Sequence, residues 1–408
     1  MIAFDRRFVP WCAACDWNID AGSPPPVLPG RLQRRRAAIN RRLADGSFRQ
    51  LIDRTAVRPP LWSRSVVTLW IASIAVIGAW TLLLVAGIRM ALIGSAFGFV
   101  VGGFILLIAA VSRPRLGGPP EHALTRAEAP ELYRLVDDIA RLLDAPRIHA
   151  IALNGDWNAA TYRYGPLQRT ALELGVPVWR SLPDAARLAI LGHEVAHSVN
   201  GDTTQGVIEG TALRTLDAWA EITEPDSLDS GDAGLVGLVA IPLNLLMLGV
   251  SIGFGLLGTA LHLVILRPRL RAEFYADRLG ASIAGVPAMI EALKRLHLEG
   301  AYERAISAIT LGSRRPAELF DELEMQVALT PDSELERRRR REAAGELGTD
   351  VTHPPTPQRI SLLEHHTPDL EPLMAVDPER MRRIDAEMAL HEPRVAGEVI
   401  DEHLAALY

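Results

Sequence analysis

The residues best suited to catalysis or metal binding lie in the stretch LAILGHEVAHSVNGD, from Leu188 to Asp202. His193 and His197 stand four positions apart, and Glu194 directly follows the first of them. Residues at this spacing lie one turn apart on the same helical face, so both imidazoles can face one metal ion. Zinc accepts imidazole nitrogen readily, and Glu194 projects beside that face, where it can take a proton from metal-bound water. The spacing therefore predicts a hydrolytic zinc site.

Such a site needs a third protein ligand from another element of the chain. No cysteine follows the motif, and the best candidate is Glu273 in the stretch LRAEFYADRLGAS. Asp277 comes one helical turn later, where it can accept a hydrogen bond from a ligating imidazole and fix its tautomer. A single acid in a helix is more often a surface charge, and Glu273 is favoured because the histidine pair needs a partner.

Local signals predict the elements that must position these residues. A cap at Ser181 begins the motif helix, and Asn-Gly at 200–201 ends it. Upstream, TRAEAPELYRLVDDIARLLDAP is typical of an amphipathic helix that opens with a capping box of Thr125 and Glu128. The runs IHAIAL and RTALELGVPV, separated by NGDWNAATYRYGPLQ, are β-prone. They predict a small sheet ahead of the motif helix.

Two apolar runs precede this region, Val66 to Ile88 and Met90 to Val111, parted by little more than Arg89. Each is long enough to cross a hydrocarbon core of about 30 Å, which predicts a tight transmembrane hairpin. From Arg31 to Arg64 ten arginines face only two acids, and arginine also follows the second run. Positive charge favours the cytoplasm, so both flanks are expected there. The alternative is a pair of buried helices in a soluble core.

A third apolar block, from Gly234 to Leu266, lies between the ligands. If the chain crossed a membrane once in this interval, Glu273 and His193 would lie on opposite sides and could not share an ion. The interval must therefore return to the side that it left. Thr204 to Ile222 could descend and the block ascend, or the block could bend near Pro242 into a shallow re-entrant hairpin. A lid packed over the cleft is a third alternative.

Three motifs of the sequence resemble those of a known protein family. HEVAH, EFYAD and THPPTPQRI resemble, in that order, motifs of the membrane-embedded gluzincins related to HtpX and the CAAX prenyl protease, the forty-eighth family of metallopeptidases. The likeness covers roughly residues 125–365, after a transmembrane hairpin in the expected place. It implies that His193, His197 and Glu273 bind zinc and that Glu194 is the general base.

The resemblance also implies roles for four further residues. His353 and Arg359, in HPPTPQR, match a histidine and an arginine thought to hold substrate or the developing oxyanion, and both can donate hydrogen bonds to negative charge. The alternative is a proline-fixed surface loop. NAAT resembles the family's edge-strand motif, although it departs at its last residue. There Asn158 and Ala159 could bind an extended peptide as an added strand.

The termini carry weaker signals. PWCAACDW, with Cys12 and Cys15, contains the only two cysteines of the sequence, which fits a reducing compartment. No strand precedes it and no helix pattern follows, so it is more like half a zinc ribbon than a thioredoxin motif. A metal shared across a dimer and a degenerate ribbon both stay open. The stretch ELERRRRREAAGE predicts a solvated charged helix.

Composition thus divides the chain into an Arg- and Pro-rich cytoplasmic leader with the CxxC pair (1–64), a transmembrane hairpin (65–112), a peptidase domain (120–365) interrupted by a membrane-associated segment (234–266), and a helical tail (366–408). The expected fold is a mainly α membrane protein: the hairpin plus a cytoplasmic α+β zincin-type metallopeptidase domain, with a small sheet and a HExxH helix. No secretory signal peptide is recognised at the start of the sequence.

The expected function is that of an integral-membrane zinc metalloendopeptidase with one catalytic Zn²⁺. It would be multi-pass in the cell (inner or plasma) membrane, with its active site facing the cytoplasm and membrane or misfolded proteins as substrates. A net charge of -6 does not suggest nucleic acid as a partner. The oligomeric state is left open. The alternatives are a catalytically silent membrane scaffold and a CAAX-type processing protease, although that branch has more transmembrane segments.

Overall fold

A computed structural model of the protein describes residues 7–19, 42, 45–52, 64–113, 117–165, 167–199, 202–224, 235–343, 353–367 and 370–407. The chain divides into two compact units. One, which we call the mixed unit because it contains helices and the sheet, comprises residues 1–59, 118–203 and 269–408. The other, which we call the apolar unit, comprises residues 60–117 and 204–268.

Helices and strands follow one another along the chain in this order: α1 (Arg64–Ala91), α2 (Ala96–Val111), β1 (Ala123–Leu124), α3 (Pro130–Leu142), β2 (Ala150–Asn154), β3 (Ala159–Tyr164), β4 (Arg169–Gly175), α4 (Val176–Ser181), α5 (Asp184–Val199), α6 (Asp202–Thr223), α7 (Leu235–Ala284), α8 (Val286–Arg295), α9 (Glu299–Leu311), α10 (Leu319–Ala328), α11 (Asp332–Ala343), α12 (Thr356–His366), α13 (Pro378–Ala389) and α14 (Glu392–Ala405). Short 3₁₀ turns occupy Leu296–Leu298 and Pro316–Glu318. Residues 45–52 are also helical.

The first two helices of the apolar unit pack on each other, and the Trp80 indole donates to the carbonyl of Ala109 at 2.9 Å. The turn between them differs from the prediction, because Arg89 lies inside the last turn of α1. The chain turns instead at Gly94, whose φ of 76° suits glycine, and at Ser95, whose side chain caps α2. Among the described residues, the helices Val66–Ala91 and Asn244–Ala284 are long and apolar enough to cross a membrane, whereas α2 is shorter.

The third apolar block continues as one helix. α7 runs unbroken from Leu235 through Pro242, so the chain does not reverse there as the re-entrant alternative required. α6 supplies the preceding arm, and Ser251 of α7 donates to the Ala220 carbonyl of α6 at 2.8 Å. Trp219 and Phe254 add a ring contact with centroids 5.2 Å apart. The interval between the ligands therefore contains two helices that contact each other.

The mixed unit contains a four-stranded sheet in the order β1-β2-β4-β3. β2 and β4 are parallel, and the two outer strands run antiparallel to their neighbours. The two predicted β-prone runs form β2 and β4. The stretch between them, in which NAAT resembles the family's edge-strand motif, forms the edge strand β3. β4 also ends earlier than predicted, because Val176 begins the short helix α4.

This short helix changes the start of the motif helix. Ser181 ends α4, and its hydroxyl donates to the Pro177 carbonyl at 2.7 Å, so the predicted cap at Ser181 is wrong. α5 begins at Asp184. It ends at Val199, and the predicted stop at 200–201 lies outside the described residues. The reciprocal hydrogen bonds of Thr125 and Glu128 do form, from the Thr125 amide to Glu128 at 2.7 Å and from the Glu128 amide to Thr125 at 3.3 Å. They close a turn ahead of α3, which begins at Pro130 with Ala129 at its N-cap, so the predicted helix start at Thr125 is wrong.

The motif helix α5 is buried on both sides. Leu188, Leu191 and Val195 join the core that contains the sheet, while Ala189 and Ile190 pack with residues of α8 in a second cluster. A helix with apolar residues on opposite faces is held by tertiary packing rather than by its own propensity. The positions of its histidines are therefore determined by the surrounding core.

α5 and the end of α7 approach each other unusually closely. A Cβ atom on Gly192 would lie 3.1 Å from the Gly280 Cα atom, and one on Gly280 would lie 2.7 Å from the Ala189 carbonyl oxygen. Real Cβ atoms essentially never come within 3.0 Å of a backbone atom, so Gly280 requires glycine for this crossing, and a side chain at Gly192 would be tightly packed. The crossing brings the backbone after Glu273 against the backbone that carries His193.

The predicted leader and tail also contribute to the mixed unit. Leu51 of the leader is buried against Phe274 and Leu362. In the tail, Asp385 accepts hydrogen bonds from the Trp179 indole at 2.8 Å and from Arg187 of α5 at 3.1 Å. Segments that composition set apart from the central domain therefore pack on it directly.

The Arg-rich helix, α11, was predicted to be solvated, but part of it is buried. The exposed fractions of Glu334 and Arg337 are 3% and 5%, and the Arg337 Nε atom donates to the Glu334 carboxylate at 2.7 Å. Burial of charge at a helix is tolerated here because the two groups pair within one turn.

The helix crossing predicts that two glycine-to-alanine substitutions in α7 differ in their effect on stability. We expect Gly280→Ala to lower the free energy of unfolding by about 1–3 kcal/mol, because the added methyl group has no space against α5. Gly253→Ala, where nothing lies within 4 Å of the added methyl group, should cause no loss. Thermal unfolding of both purified variants in detergent would measure this, and equal midpoints would contradict the crossing.

Candidate metal centre

The two helices bring three metal-binding side chains together. The Nε2 atoms of His193 and His197 lie 3.2 Å apart. The Glu273 carboxylate lies 3.7 Å from the first of these nitrogens and 3.6 Å from the second. Among the described residues, this is the group of three or more histidine, cysteine and acidic side chains whose ligand atoms converge, all within 4.8 Å of one another.

The donor set fits a divalent metal ion. Ligands about 2.0–2.1 Å from a tetrahedral zinc lie roughly 3.3 Å from one another, close to the spacings observed here. Burial lowers the pKa of His197 to about 4, so its imidazole is neutral at pH 7, as metal binding requires. Two imidazole nitrogens and a carboxylate that converge in a buried site need a cation between them to offset their negative partial charges.

Asp277 lies behind the first histidine. Its Oδ1 atom is 3.0 Å from the Nδ1 atom of His193, although the angle between them is poorer than that of a good hydrogen bond. A proton on Nδ1 leaves the Nε2 lone pair facing the metal position, which is the tautomer that a ligand needs. The distance is compatible with the supporting role expected for Asp277, which stays a prediction.

Arg359 contacts the same carboxylate from α12. Its Nε and Nη2 atoms donate to the two Asp277 oxygens at 2.8 and 2.6 Å, and only 4% of the residue is exposed. Burial opposes its charge, but the ion pair with Asp277 raises the pKa of Arg359. The Nη2 atom also lies 3.9 Å from Glu273. Arg359 borders the cleft, yet its donors are directed at an acid that supports a metal-binding histidine.

His353 and Glu194 lie on two sides of the ligand group. The His353 Nδ1 atom is 2.6 Å from Glu273, and 35% of the side chain is exposed. Glu194 is buried, with a carboxylate oxygen 4.0 Å from the His193 Nε2 atom. Burial raises the pKa of Glu194 to about 7, while the neighbouring His193 acts in the opposite direction. A carboxylate with a raised pKa beside a metal position is suited to accept and return a proton.

A cleft of about 670 Å³ opens over these residues. Asn158 and Ala159 line it, as do Glu194, His353 and Arg359. The Asn158 carbonyl accepts a hydrogen bond from the Gly175 amide at 2.9 Å, so β3 is attached to β4 at this point. β3 is the last strand in the order of the sheet, and no further strand of the described residues pairs with its other edge.

Several residues that line the cleft carry no recognisable local motif. They are Trp157, His297, Arg337, Arg338, Arg341 and Glu342. His297 lies 3.3 Å from Glu342, and burial lowers the pKa of this histidine to about 4. The run of arginines was visible in the sequence, but its pattern alone did not distinguish a cleft wall from a solvated helix.

A buried helix with the HExxH spacing, completed by a glutamate from a later helix, defines a metallopeptidase of the gluzincin type. Comparison with known proteins agrees with this class. The family model described as peptidase family M48 matches residues 126–367, which is more than half of the chain. The chain therefore belongs to peptidase family M48.

Individual relatives are moderately similar. The chain is 27% identical over 222 residues to the protein named Protease HtpX homolog of Bacillus pumilus (strain SAFR-032), covering 50% of this chain and 69% of that protein. A protein of the same name from Pyrobaculum calidifontis is 26% identical over 243 residues, covering 58% and 67%. Protease HtpX of Xylella fastidiosa (strain M23) is 33% identical over 158 residues, covering 38% and 50%. No solved structure gave a significant match.

The contacts of Asp277 predict a loss of metal binding in the isosteric variant Asp277→Asn. We expect zinc affinity to fall by about 10- to 100-fold, because the amide supports His193 less well and leaves Arg359 without its anionic partner. Competition with a chromogenic chelator would measure the affinity, with circular dichroism to confirm folding. Asp321→Asn, at an exposed partner of Arg180, is the matched control. An unchanged affinity in Asp277→Asn would contradict this role.

Proposed function

We propose that the protein is an integral-membrane zinc metalloendopeptidase. The observation that carries this proposal is the convergence of His193, His197 and Glu273. His193 and the adjacent Glu194 line the cleft. Family membership supports peptide-bond hydrolysis, and the ligand set supports zinc as the ion. A bound zinc ion would polarise the scissile carbonyl and increase the acidity of the attacking water.

The side chains of this chain perform the remaining steps. Glu194 takes the proton from the attacking water and passes it to the leaving amine, so that the peptide and one water yield a carboxylic acid and an amine. Asp277, held by Arg359, keeps His193 in the tautomer and orientation that present Nε2 to the ion. His353 reaches the cleft surface, where it can donate a hydrogen bond to the oxyanion that develops at the scissile carbonyl.

Substrate binding would use the exposed edge of β3. An extended peptide laid along Asn158 and Ala159 would add a strand to the sheet, with main-chain hydrogen bonds that do not depend on the substrate's side chains. This mode requires a locally unfolded segment, because a folded domain does not offer a free strand to a cleft. We therefore propose that unfolded or misfolded proteins, including membrane proteins, are the substrates.

The apolar unit supports a membrane location. α1 and α7 meet the length and composition needed to cross a bilayer, and α1 exposes large apolar residues such as Ile71, at 65%, and Leu82, at 71%. Arginine at both flanks of the α1–α2 pair favours a cytoplasmic site. Because α6 leaves the mixed unit and α7 returns to it, two crossings would keep all three ligands on one side of the membrane.

The assigned base gives a direct test of catalysis. In Glu194→Gln we expect zinc to remain bound and cleavage of an unfolded reporter protein to fall by at least about 100-fold, because the amide cannot accept the proton. Zinc content and cleavage would be measured on detergent-purified protein, with Glu303→Gln as a control at an exposed acid lining the same cleft. Addition of a strong zinc chelator should abolish wild-type cleavage.

Three outcomes would exclude alternatives. Equal cleavage by wild type and Glu194→Gln would remove Glu194 from the mechanism. Zinc binding without any cleavage by wild type would instead indicate a catalytically silent scaffold. Cleavage restricted to peptides with a carboxy-terminal prenylated cysteine would indicate a CAAX-type processing protease.

The two-crossing path predicts a pattern of chemical labelling. In a variant with Cys12 and Cys15 replaced by serine, single cysteines introduced at Asp202 and Arg269 should both react with a membrane-impermeant reagent from the cytoplasmic side. A cysteine at Ser230, which lies outside the described residues, should react from the opposite side. Labelling of positions 202 and 269 from opposite sides would contradict the path, because the ligands could not then share an ion.

A further inference from the structure

The Cys12–Cys15 segment forms an ordered turn. The Cys12 amide donates to the Trp17 carbonyl at 3.1 Å, and Asp16 and Asn18 adopt left-handed backbone conformations with φ of 53° and 63°. Hydrogen bonding by the Ala14 backbone, and next by the Cys15 side chain and backbone, lowers the pKa of the Cys12 thiol. Cys15 is exposed. The two cysteines therefore lie three residues apart in one turn, the CxxC spacing at which two thiols can pair.

The turn is attached to α11 by side chains of that helix and of the turn itself. Arg340 donates to the Ala13 carbonyl at 2.5 Å, between the two cysteines, and to the Asp16 carboxylate at 2.9 Å. The Trp11 indole donates to the Ser333 carbonyl at 3.1 Å, and the Arg340 guanidinium carbon lies 5.4 Å from the centre of the Trp11 ring. A change in the shape of the turn therefore acts first on α11.

The same helix forms a wall of the proposed active-site cleft. Arg337 and Arg338 line it, and Arg338 donates to the His297 carbonyl at 2.6 Å on the neighbouring wall. At the end of α11, Glu342 accepts the Thr356 amide at 3.0 Å, where α12 begins. α12 carries Arg359. Continuous contacts thus connect the cysteine turn to the cleft and to the residue that holds Asp277.

Among the described residues, no further ligands converge on the cysteine pair. A structural zinc site takes four ligands, and this sequence has no third cysteine. In the part of the chain that the structure describes, the cysteines belong to no converging group of three metal-binding side chains. Asp16, which follows Cys15 directly, is paired with Arg340. A reversible reaction between the two sulfur atoms needs nothing further from the protein.

We propose that Cys12 and Cys15 form a reversible disulfide that controls the cleft through α11. The Cys12 thiolate attacks a small-molecule disulfide oxidant and releases one thiolate from it. Cys15 then loses its proton and attacks the mixed disulfide, which releases the second thiolate. The two cysteines are oxidised by two electrons, the external disulfide is reduced to two thiols, and the two protons are transferred to these products.

Disulfide formation removes the hydrogen bonds that the thiolate accepts and tightens the turn at Ala13. The carbonyl of Ala13 and the carboxylate of Asp16 then no longer match the guanidinium of Arg340, so α11 is held less firmly. We expect faster amide exchange in α11 and a loss of cleavage of about three- to tenfold, a usual size for coupling through a packed network. The effect on cleavage depends on the proposed function, whereas disulfide formation and amide exchange do not.

The test uses full-length protein in detergent, equilibrated in oxidised and reduced glutathione after removal of loosely bound metal. Mass spectrometry should find a loss of two hydrogens linking Cys12 to Cys15, and hydrogen exchange of residues 332–343 should become faster in the oxidised form. Reduction should restore both signals. The variants Cys12→Ser and Cys15→Ser are the controls. Glutathione at equal concentration must change neither their hydrogen exchange nor their rate of cleavage.

Arg340→Gln separates disulfide formation from its consequence. This variant should still form the disulfide, but oxidation should no longer change exchange in α11 or the rate of cleavage. Absence of the disulfide in wild type, or its formation without any change in α11, would overturn the proposal. So would one equivalent of zinc, held by both thiols and resisting oxidation, since the pair would then be a metal site. If wild type cleaves nothing, the mass and exchange measurements still decide the proposal.

Discussion

The close crossing of α5 and the end of α7 is the constraint on which the rest of the site depends. Because Gly192 and Gly280 lack side chains, the two backbones approach within the width of a methyl group. Glu273 is then close enough to His193 and His197 for one ion to contact all three. A pair of histidines on one helix supplies only two ligands, so the packing of a second helix decides whether the pair can function as a metal site.

The buried charges around this crossing are arranged so that each has a partner. Asp277 would be costly beside His193 without a cation, and Arg359 supplies one through two hydrogen bonds. Removing one member of such a buried pair costs more than the pair itself contributes, because the other charge remains desolvated. The motif THPPTPQRI is thereby joined to the motif EFYAD. The proposed orientation of His193 as a metal ligand therefore depends on correct docking of α12.

The same dependence on packing explains why the segments predicted from composition differ from the compact units that the contacts define. The leader, the Arg-rich stretch and the tail all have polar compositions typical of exposed segments. Each nevertheless has a few anchoring groups that pack on the core of the mixed unit, such as Leu51, Arg337 and Asp385. A small number of buried contacts is enough to attach a segment whose average composition is polar.

The sequence by itself determined the features that depend on neighbours along the chain. These include the HExxH spacing on a helix, the reciprocal hydrogen bonds of Thr125 and Glu128, the strands β2 and β4, and the length of the apolar runs. The need for a third ligand also predicted Glu273, whose carboxylate lies close to the two histidines. Such features follow from helical and strand periodicity, which a single stretch of residues expresses.

Only the tertiary structure decided the features that depend on distant partners. Ser181 ends one helix instead of capping the next, Arg359 directs its donors at Asp277, and Arg337 is buried in a helix that resembles a solvated one. In each case the local sequence allows more than one conformation or environment. The choice between them comes from desolvation and packing against residues far away in the chain, and no local pattern records these contacts.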